Sequence, residues 1–168
     1  MSGAGARLAP RAWVELAREA ARPGGRDERP VHAQRLLVFQ LAGAPYALPI
    51  ERVREIVRRR PITPIPRLPA ELLGVIALRG RVIEVIDLRQ RLGLPAGDPD
   101  RRSRIVVAHD GEGRVAGLLV DAVEAVVPAG EMAPVDGAAG SVEGLSRIGR
   151  RFVSIVDLDR VMDFDAGG

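Results

Sequence analysis

The sequence predicts a mainly β fold made of two similar small barrels, and three observations carry that reading. Short β-rich runs alternate with Gly, Pro and Asp turns along most of the chain. Few segments have the length and periodicity of a long helix. The second half also echoes the first at an ungapped offset of 70 residues. ELLGVIALRGRVIEVIDLRQRL at 71–92 sets against SVEGLSRIGRRFVSIVDLDRVM at 141–162, matching Gly74 with Gly144, Arg81 with Arg151, and Asp87-Leu88 with Asp157-Leu158. The same offset lays Ile50, Val53, Ile56 and Val57 on Val120, Val123, Val126 and Val127. Units this small bury a core poorly alone, so the two are expected to pack together.

Residues 1–35, rich in Ala, Arg, Gly and Pro, read as a flexible arm. Trp13, Leu16, Ala17 and Ala20 form a short amphipathic stripe that Pro23-Gly24-Gly25 ends, too short for a stable helix without a partner surface. From Leu36 the character changes. Leu36–Leu41 and Tyr46–Ile50 read as strands around a Gly43-Ala44-Pro45 turn. Further strands are expected at Val53–Val57, Val82–Ile86, Ser103–Ala108, Val115–Val120, Val123–Val127 and Phe152–Val156. Between them, Pro61–Pro69 holds four prolines in nine residues, which stiffens it as an extended loop. Its counterpart, Glu131–Ala139, is softer. Asp87 and Asp157 each end a strand before a short helical turn and read as caps; Gln90 has capping-box spacing and Gly93 stops the turn. The first barrel is expected mainly in 36–92 and the second mainly in 103–162, with strands open to exchange, and 164–168 form a tail.

Composition narrows the function. Of 168 residues, 46% are apolar and none is Cys, which excludes disulfide and thiolate chemistry. No apolar run approaches the roughly 20 residues of a membrane span, and the N-terminus lacks a secretory h-region. A soluble cytoplasmic protein is expected. The pI near 10.7 hints at nucleic acid, but all 25 basic residues are Arg, whose high pKa inflates it. The net +3 lies in residues 1–35, with seven Arg against four acids; 18 Arg and 18 acids balance beyond. Chemistry is equally sparse. His32 and His109 have no metal-site spacing, and Asp157, Asp159, Asp163 and Asp165 lack the glycine and final glutamate of a calcium loop. Nothing points to an enzyme, a metal or a cofactor. Arg58-Arg59-Arg60 reads as a solvated strand edge; the rival is a nucleic-acid-binding barrel using it with the Arg-rich arm.

Positions present in only one half are the candidates for function. Glu55 faces Ala125 in the repeat, and Arg79-Gly80 faces Gly149-Arg150. Taken in order, LVFQLAGAPYALPI, VREIV, ITPIPRLP, GVIALRGRVIEVIDL, GLLVDAVEAVV and FVSIVDL resemble the CheW-like domain, the coupling module of bacterial chemosensory arrays. The resemblance spans about Leu36 to Met162. It departs at Glu84, where the family usually has Pro, and at Ala77, where it often has Asn.

The resemblance implies two intertwined five-stranded SH3-like β-barrels and no catalysis. It implies an adaptor between the cytoplasmic tip of a chemoreceptor and the CheW-like regulatory domain of a CheA-type histidine kinase. Other CheW-like modules in membrane-associated receptor arrays are further implied partners. Flagellar taxis, twitching through type IV pili and other chemosensory outputs all stay open. The receptor would lie in a groove lined by Leu37, Ile50, Val53, Ile56 and Val123, each of which could equally be core. Glu55 and Arg79, with Gly80, would form a charged pair beside it, either oriented for partners or purely structural.

Overall fold

The computed structural model describes residues 34–135 and 140–165. The Trp13–Ala20 stripe and His32 lie outside the described residues. β1 (Arg35–Leu41) pairs with β2 (Ala44–Pro49) as an antiparallel hairpin. A 3-10 turn at Ile50–Arg52 leads into β3 (Val53–Arg58). β4 (Leu72–Leu78), β5 (Arg81–Asp87) and the one-turn helix α1 (Leu88–Arg91) complete the first half. The second runs β6 (Arg104–His109), β7 (Val115–Val120), β8 (Ala122–Pro128), a short β9 (Met132–Pro134), β10 (Val142–Ile148), β11 (Arg151–Val156) and α2 (Leu158–Val161). The strands form two sheets, ordered β3-β6-β7-β5-β4 and β8-β1-β2-β11-β10-β9. They make the expected pair of intertwined small barrels, one of five strands as expected and the other of six, because β9 adds an edge strand to it.

Neither barrel comes from one half of the chain. The leading hairpin of each half, β1–β2 or β6–β7, crosses over and pairs in the sheet of the other half. β2 joins β11 in parallel, with Ser154 opposite Tyr46, and β7 joins β5 in parallel, with Glu84 opposite Ala116. Both residues differ by 70 between these contacts (154 − 84 and 116 − 46), so the sequence repeat is a pseudo-two-fold of the molecule. In β1 and β6 the equivalence slips to 69: Val123 faces Phe39, and Val53 faces Ala108. The longer β6–β7 connection absorbs the difference.

The exchange has a physical cause in the two-faced burial of the leading strands. Leu36 to Phe39 and Ile105 to Ala108 are buried residue after residue. Successive side chains of a strand point to opposite faces, so these strands need cover on both sides. Leu36 and Val38 fill one barrel with Ala47, Val153 and Ile155. Ile105 and Val107 fill the other with Ile76, Ile83 and Val85. The alternate residues Leu37, Phe39, Leu41, Val106 and Ala108 meet Ile86, Leu88, Leu158 and Val161 in a third core between the barrels. At about 1.5–3 kcal/mol per fully buried large side chain, this central core binds the barrels into one unit.

Local chemistry sets the turns. Ala42 and Gly43 both have positive φ, +51° and +82°, so the β1–β2 turn is of type I′ and sits one residue before the Gly43-Ala44-Pro45 predicted from composition. Asp87 Oδ1 accepts from Gln90 N at 3.4 Å, and Asp157 Oδ1 accepts from Arg160 N at 3.2 Å, so both aspartates cap. The reciprocal half of a capping box does not form. Gln90 Nε2 donates to the Asp87 carboxylate at 3.0 Å, while Asp87 N donates to Glu71 O at 2.7 Å. Gly93, at φ +73°, ends α1 in a Schellman closure, with Gly93 N on Gln90 O and Leu94 N on Arg89 O. Thr63 in the Pro-rich loop exchanges two 2.9 Å hydrogen bonds with Val75. Its equivalent, Ala133 opposite Leu145, belongs to β9, a strand that the soft composition of 131–139 conceals.

Candidate functional site

The outer strands β3 and β8 carry most of the candidate residues, and a bulge in each decides what they present. Directly opposed residues of paired strands share a face. Val53 stands opposite Ala108 and Ile56 opposite Val106, both on the side of the central core. Glu55 and Val57 stand opposite Val107 and Ile105, on the barrel side. The ladder skips Arg54, and this bulge lets residues three apart share one face. β8 repeats the device. Val123 faces Phe39 and Val126 faces Leu37, while Ala125 and Val127 face Val38 and Leu36 of the other barrel, with Glu124 skipped.

Four of the five residues expected to line a groove keep part of their surface beside the central core. Ile50, Val53 and Val123 are half-buried against the central core, and Ile56 shares the face of Val53 with 38% of its surface exposed. Leu37 is a correction. At 1% exposure it is core, because β1 is covered on both faces, and it backs the seam from behind. Its cross-strand partner Val126, 37% exposed, stands at the surface on that face and was not among the expected residues. The offset of 70 held the signal, since it sets Val126 on Ile56.

Arg79 and Glu55 do meet. Arg79 Nε donates to Glu55 Oε2 at 2.9 Å and Nη2 to Oε1 at 3.0 Å, a fork on both carboxylate oxygens. The Arg79 hydrogen bond holds the Glu55 carboxyl below the usual range, with added pull from the charges of Arg79 and Arg60. Arg79 and Gly80 are the two central residues of the β4–β5 turn, at φ +51° and +77°. Gly80 is there for its backbone, and Arg79 is a side chain held where few are found. The pair joins β3 to the β4–β5 tip, linking opposite edges of one sheet.

The other barrel has a pair of its own. Glu124, the bulge residue of β8, binds Arg151 at the start of β11 and also accepts from Gln40 Nε2. Each barrel thus has a Glu–Arg tie between its outer strand and its hairpin, built from positions that do not correspond. In the repeat, Glu55 falls on Ala125 and Glu124 falls on Arg54, so position-by-position comparison hides the shared role.

The aspartates and the histidine weighed as metal ligands make contacts within the fold. Asp159 accepts from Gly111 N at 2.7 Å and pairs with Arg52 at 3.6 Å, and Asp163 accepts from Asp165 N at 3.1 Å. The His109 ring nitrogens lie 3.2 Å from Asp110 O and 3.1 Å from Glu51 O. Among the described residues no group of three or more His, Asp or Glu is placed to hold a metal. In the same span, no helix is long and apolar enough to cross a membrane.

A family model described as the CheW-like domain matches residues 35–166, which takes in both barrels and every seam residue. The chain belongs to the CheW-like domain family. Chemotaxis protein CheW of Rhizobium meliloti (strain 1021) is 38% identical over 133 residues, covering 75% of this chain and 85% of that protein. Probable chemotaxis protein CheW of Rhizobium etli is 35% identical over 131 residues, covering 74% and 84%. The crystal structure of scaffolding protein TtCheW from Thermoanaerobacter tengcongensis matches with a TM-score of 0.74 at 34% identity, over 79% of this chain and 94% of that one.

Proposed function

We propose that the chain is a non-catalytic adaptor that couples the cytoplasmic tip of a chemoreceptor to a CheA-type histidine kinase in a chemosensory array. The observation that carries the reading is the pair of bulged outer strands. They turn Val53 and Ile56 on one side, and Val123 and Val126 on the other, toward the seam between the barrels. Apolar side chains left partly exposed at a seam between rigid barrels suit a helical partner that buries them. Ile50 adds to the same surface. Glu55–Arg79 lies on the other side of β3 and fixes the strand that carries the apolar row. The kinase partner is expected to dock by its own CheW-like regulatory domain, and further CheW-like modules join the array. This role is the same for flagellar and twitching outputs.

Affinity capture from native lysate with the full chain tests the reading. A methyl-accepting receptor and a histidine kinase are expected to be retained together. Val53→Asp places a charge in the seam and is expected to release the receptor, while the kinase stays bound. Retention of both partners at wild-type levels by Val53→Asp and by Arg79→Glu would sink this surface.

A further inference from the structure

A second feature lies at the end of the same row. Arg58 stands opposite Arg104 in the last rung of the β3–β6 ladder, facing the same way as Val53 and Ile56. Arg59 and Arg60 continue from β3, and Arg101 and Arg102 precede β6 at the same end of the barrel. Arg104 Nη1 donates to Arg101 O at 2.8 Å, which draws that approach close. None of the six is in an ion pair among the described residues. The nearby acids in sequence are Glu55, whose carboxylate is held by the Arg79 fork and feels the charge of Arg60, and Asp98 and Asp100, with Asp100 Oδ1 engaged by Arg102 N at 2.8 Å.

The fold does not ask for this cluster. Like charges directly opposed across a ladder are destabilising. The other barrel supplies an internal control: Arg58-Arg59-Arg60 falls on Pro128-Ala129-Gly130, and only Arg35, opposite Pro128, matches Arg104. The same architecture is therefore built without the arginine triplet. Residues 1–33 do not suit the patch as occupant, since they carry six arginines against four acids. The five aromatics of the chain, none of them in the cluster, offer no stacking platform for single-stranded nucleic acid.

We propose that Arg58, Arg59 and Arg60, with Arg101, Arg102 and Arg104, form a clamp for an acidic flank of the protein segment that lies in the β3/β8 seam. The proposal rests on the reading of the seam as the receptor site. An apolar stripe in the occupant covers Val53 and Ile56, and carboxylates beyond that stripe reach the arginines. Since only the β3 row ends in the cluster, the clamp fixes the direction in which the occupant lies. Charge at the rim of an interface sets orientation and encounter rate more than affinity.

The test titrates the full chain with the purified cytoplasmic fragment of a chemoreceptor from the organism that encodes it, at low and at high salt. R58E/R59E/R60E is expected to weaken binding about tenfold at low salt and to remove most of the salt dependence. R58Q/R59Q/R60Q is expected to fall between that variant and wild type. Arg58 and Arg59 are exposed and Arg60 is half-buried, and an unchanged circular dichroism spectrum and melting curve separate lost contacts from lost fold. Val53→Asp keeps the two readings distinct. If it abolishes binding while the triple reversal leaves affinity and salt slope unchanged, the clamp is wrong and the seam stands. If Val53→Asp also binds as wild type does, seam and clamp both fall. Loss of retention on a DNA duplex or anionic vesicles in the triple variant, with receptor binding intact, would assign the cluster to another class of partner and overturn the clamp.

Discussion

Arg79 holds a backbone angle, φ +51°, that favours glycine or asparagine, and its guanidinium forks onto Glu55 from there. Because the folded Glu55 pKa is lowered, the stabilisation from the pair is complete above the ordinary carboxylate range. It is lost only as pH falls through the lower folded value. An NMR titration of Glu55 is expected to show a midpoint below about 4.3, and Arg79→Gln should move it up toward that value. An unchanged midpoint in Arg79→Gln would show that the hydrogen bond is not the cause. Asp110 is the structural contrast. It is buried at 2% exposure, and its carboxylate accepts from Glu112 N at 2.8 Å, Arg114 N at 2.9 Å and Arg114 Nε at 2.6 Å. Burial raises its pKa, yet these bonds outweigh that and leave it lowered. Asp110→Ala is expected to cost about 2–3 kcal/mol in chemical denaturation without touching receptor binding. At this scale the sequence was only partly legible. Glu55 and Arg79 stood out because the repeat lacks them, whereas Glu124–Arg151 stayed hidden because its two residues come from other positions. Leu37 stayed open between groove and core because a two-faced strand cannot be told from a one-faced strand by apolar content alone.

The strands were legible as elements, since period, turn residues and the repeat all agreed on them. β9 was not, because its three exposed residues take their strand state from the neighbouring β10. Tertiary pairing overrides local composition in such short pieces. The repeated glycine in the first strand of each hairpin, β4 and β10, makes a sharp prediction. A Cβ on Gly74, at φ +140°, would lie 2.1 Å from Thr63 O, a backbone atom that cannot swing away. On Gly144 the matching contact, Ala133 O, is 3.0 Å away, and φ is not in the positive region. Gly74→Ala is therefore expected to destabilise by about 3 kcal/mol or more, and Gly144→Ala by clearly less. Equal melting temperatures for the two variants would contradict this account of the Thr63 bridge. Loss of either cap, Asp87→Ala or Asp157→Ala, should cost about 1 kcal/mol, much the same in each because the caps are equivalent.

The whole molecule is a pseudo-two-fold object whose halves trade hairpins, and that exchange was the least legible feature. The 70-residue repeat gives two similar units, but nothing local says which sheet receives β1–β2. The choice follows from burying both faces of β1 and β6 at once. One residue ties the helical turns of the halves together. Arg91 of α1 donates to Val161 O at 2.9 Å, Arg160 O at 3.0 Å and Asp163 O at 2.7 Å, and its guanidinium lies 4.1 Å from the Phe164 ring centre. Arg91→Ala is expected to lower stability by about 2–3 kcal/mol, read by calorimetry as one cooperative transition, since the central core joins both barrels. The role proposed for this pair of barrels is to couple receptor to kinase through the seam. The most direct measurement is kinase autophosphorylation in membranes containing receptor and kinase, with the chain added. Wild type is predicted to raise the rate and make it ligand-sensitive, and Val53→Asp is predicted to do neither while remaining folded. A rate that is the same with wild type, with Val53→Asp and with no added chain would contradict the account.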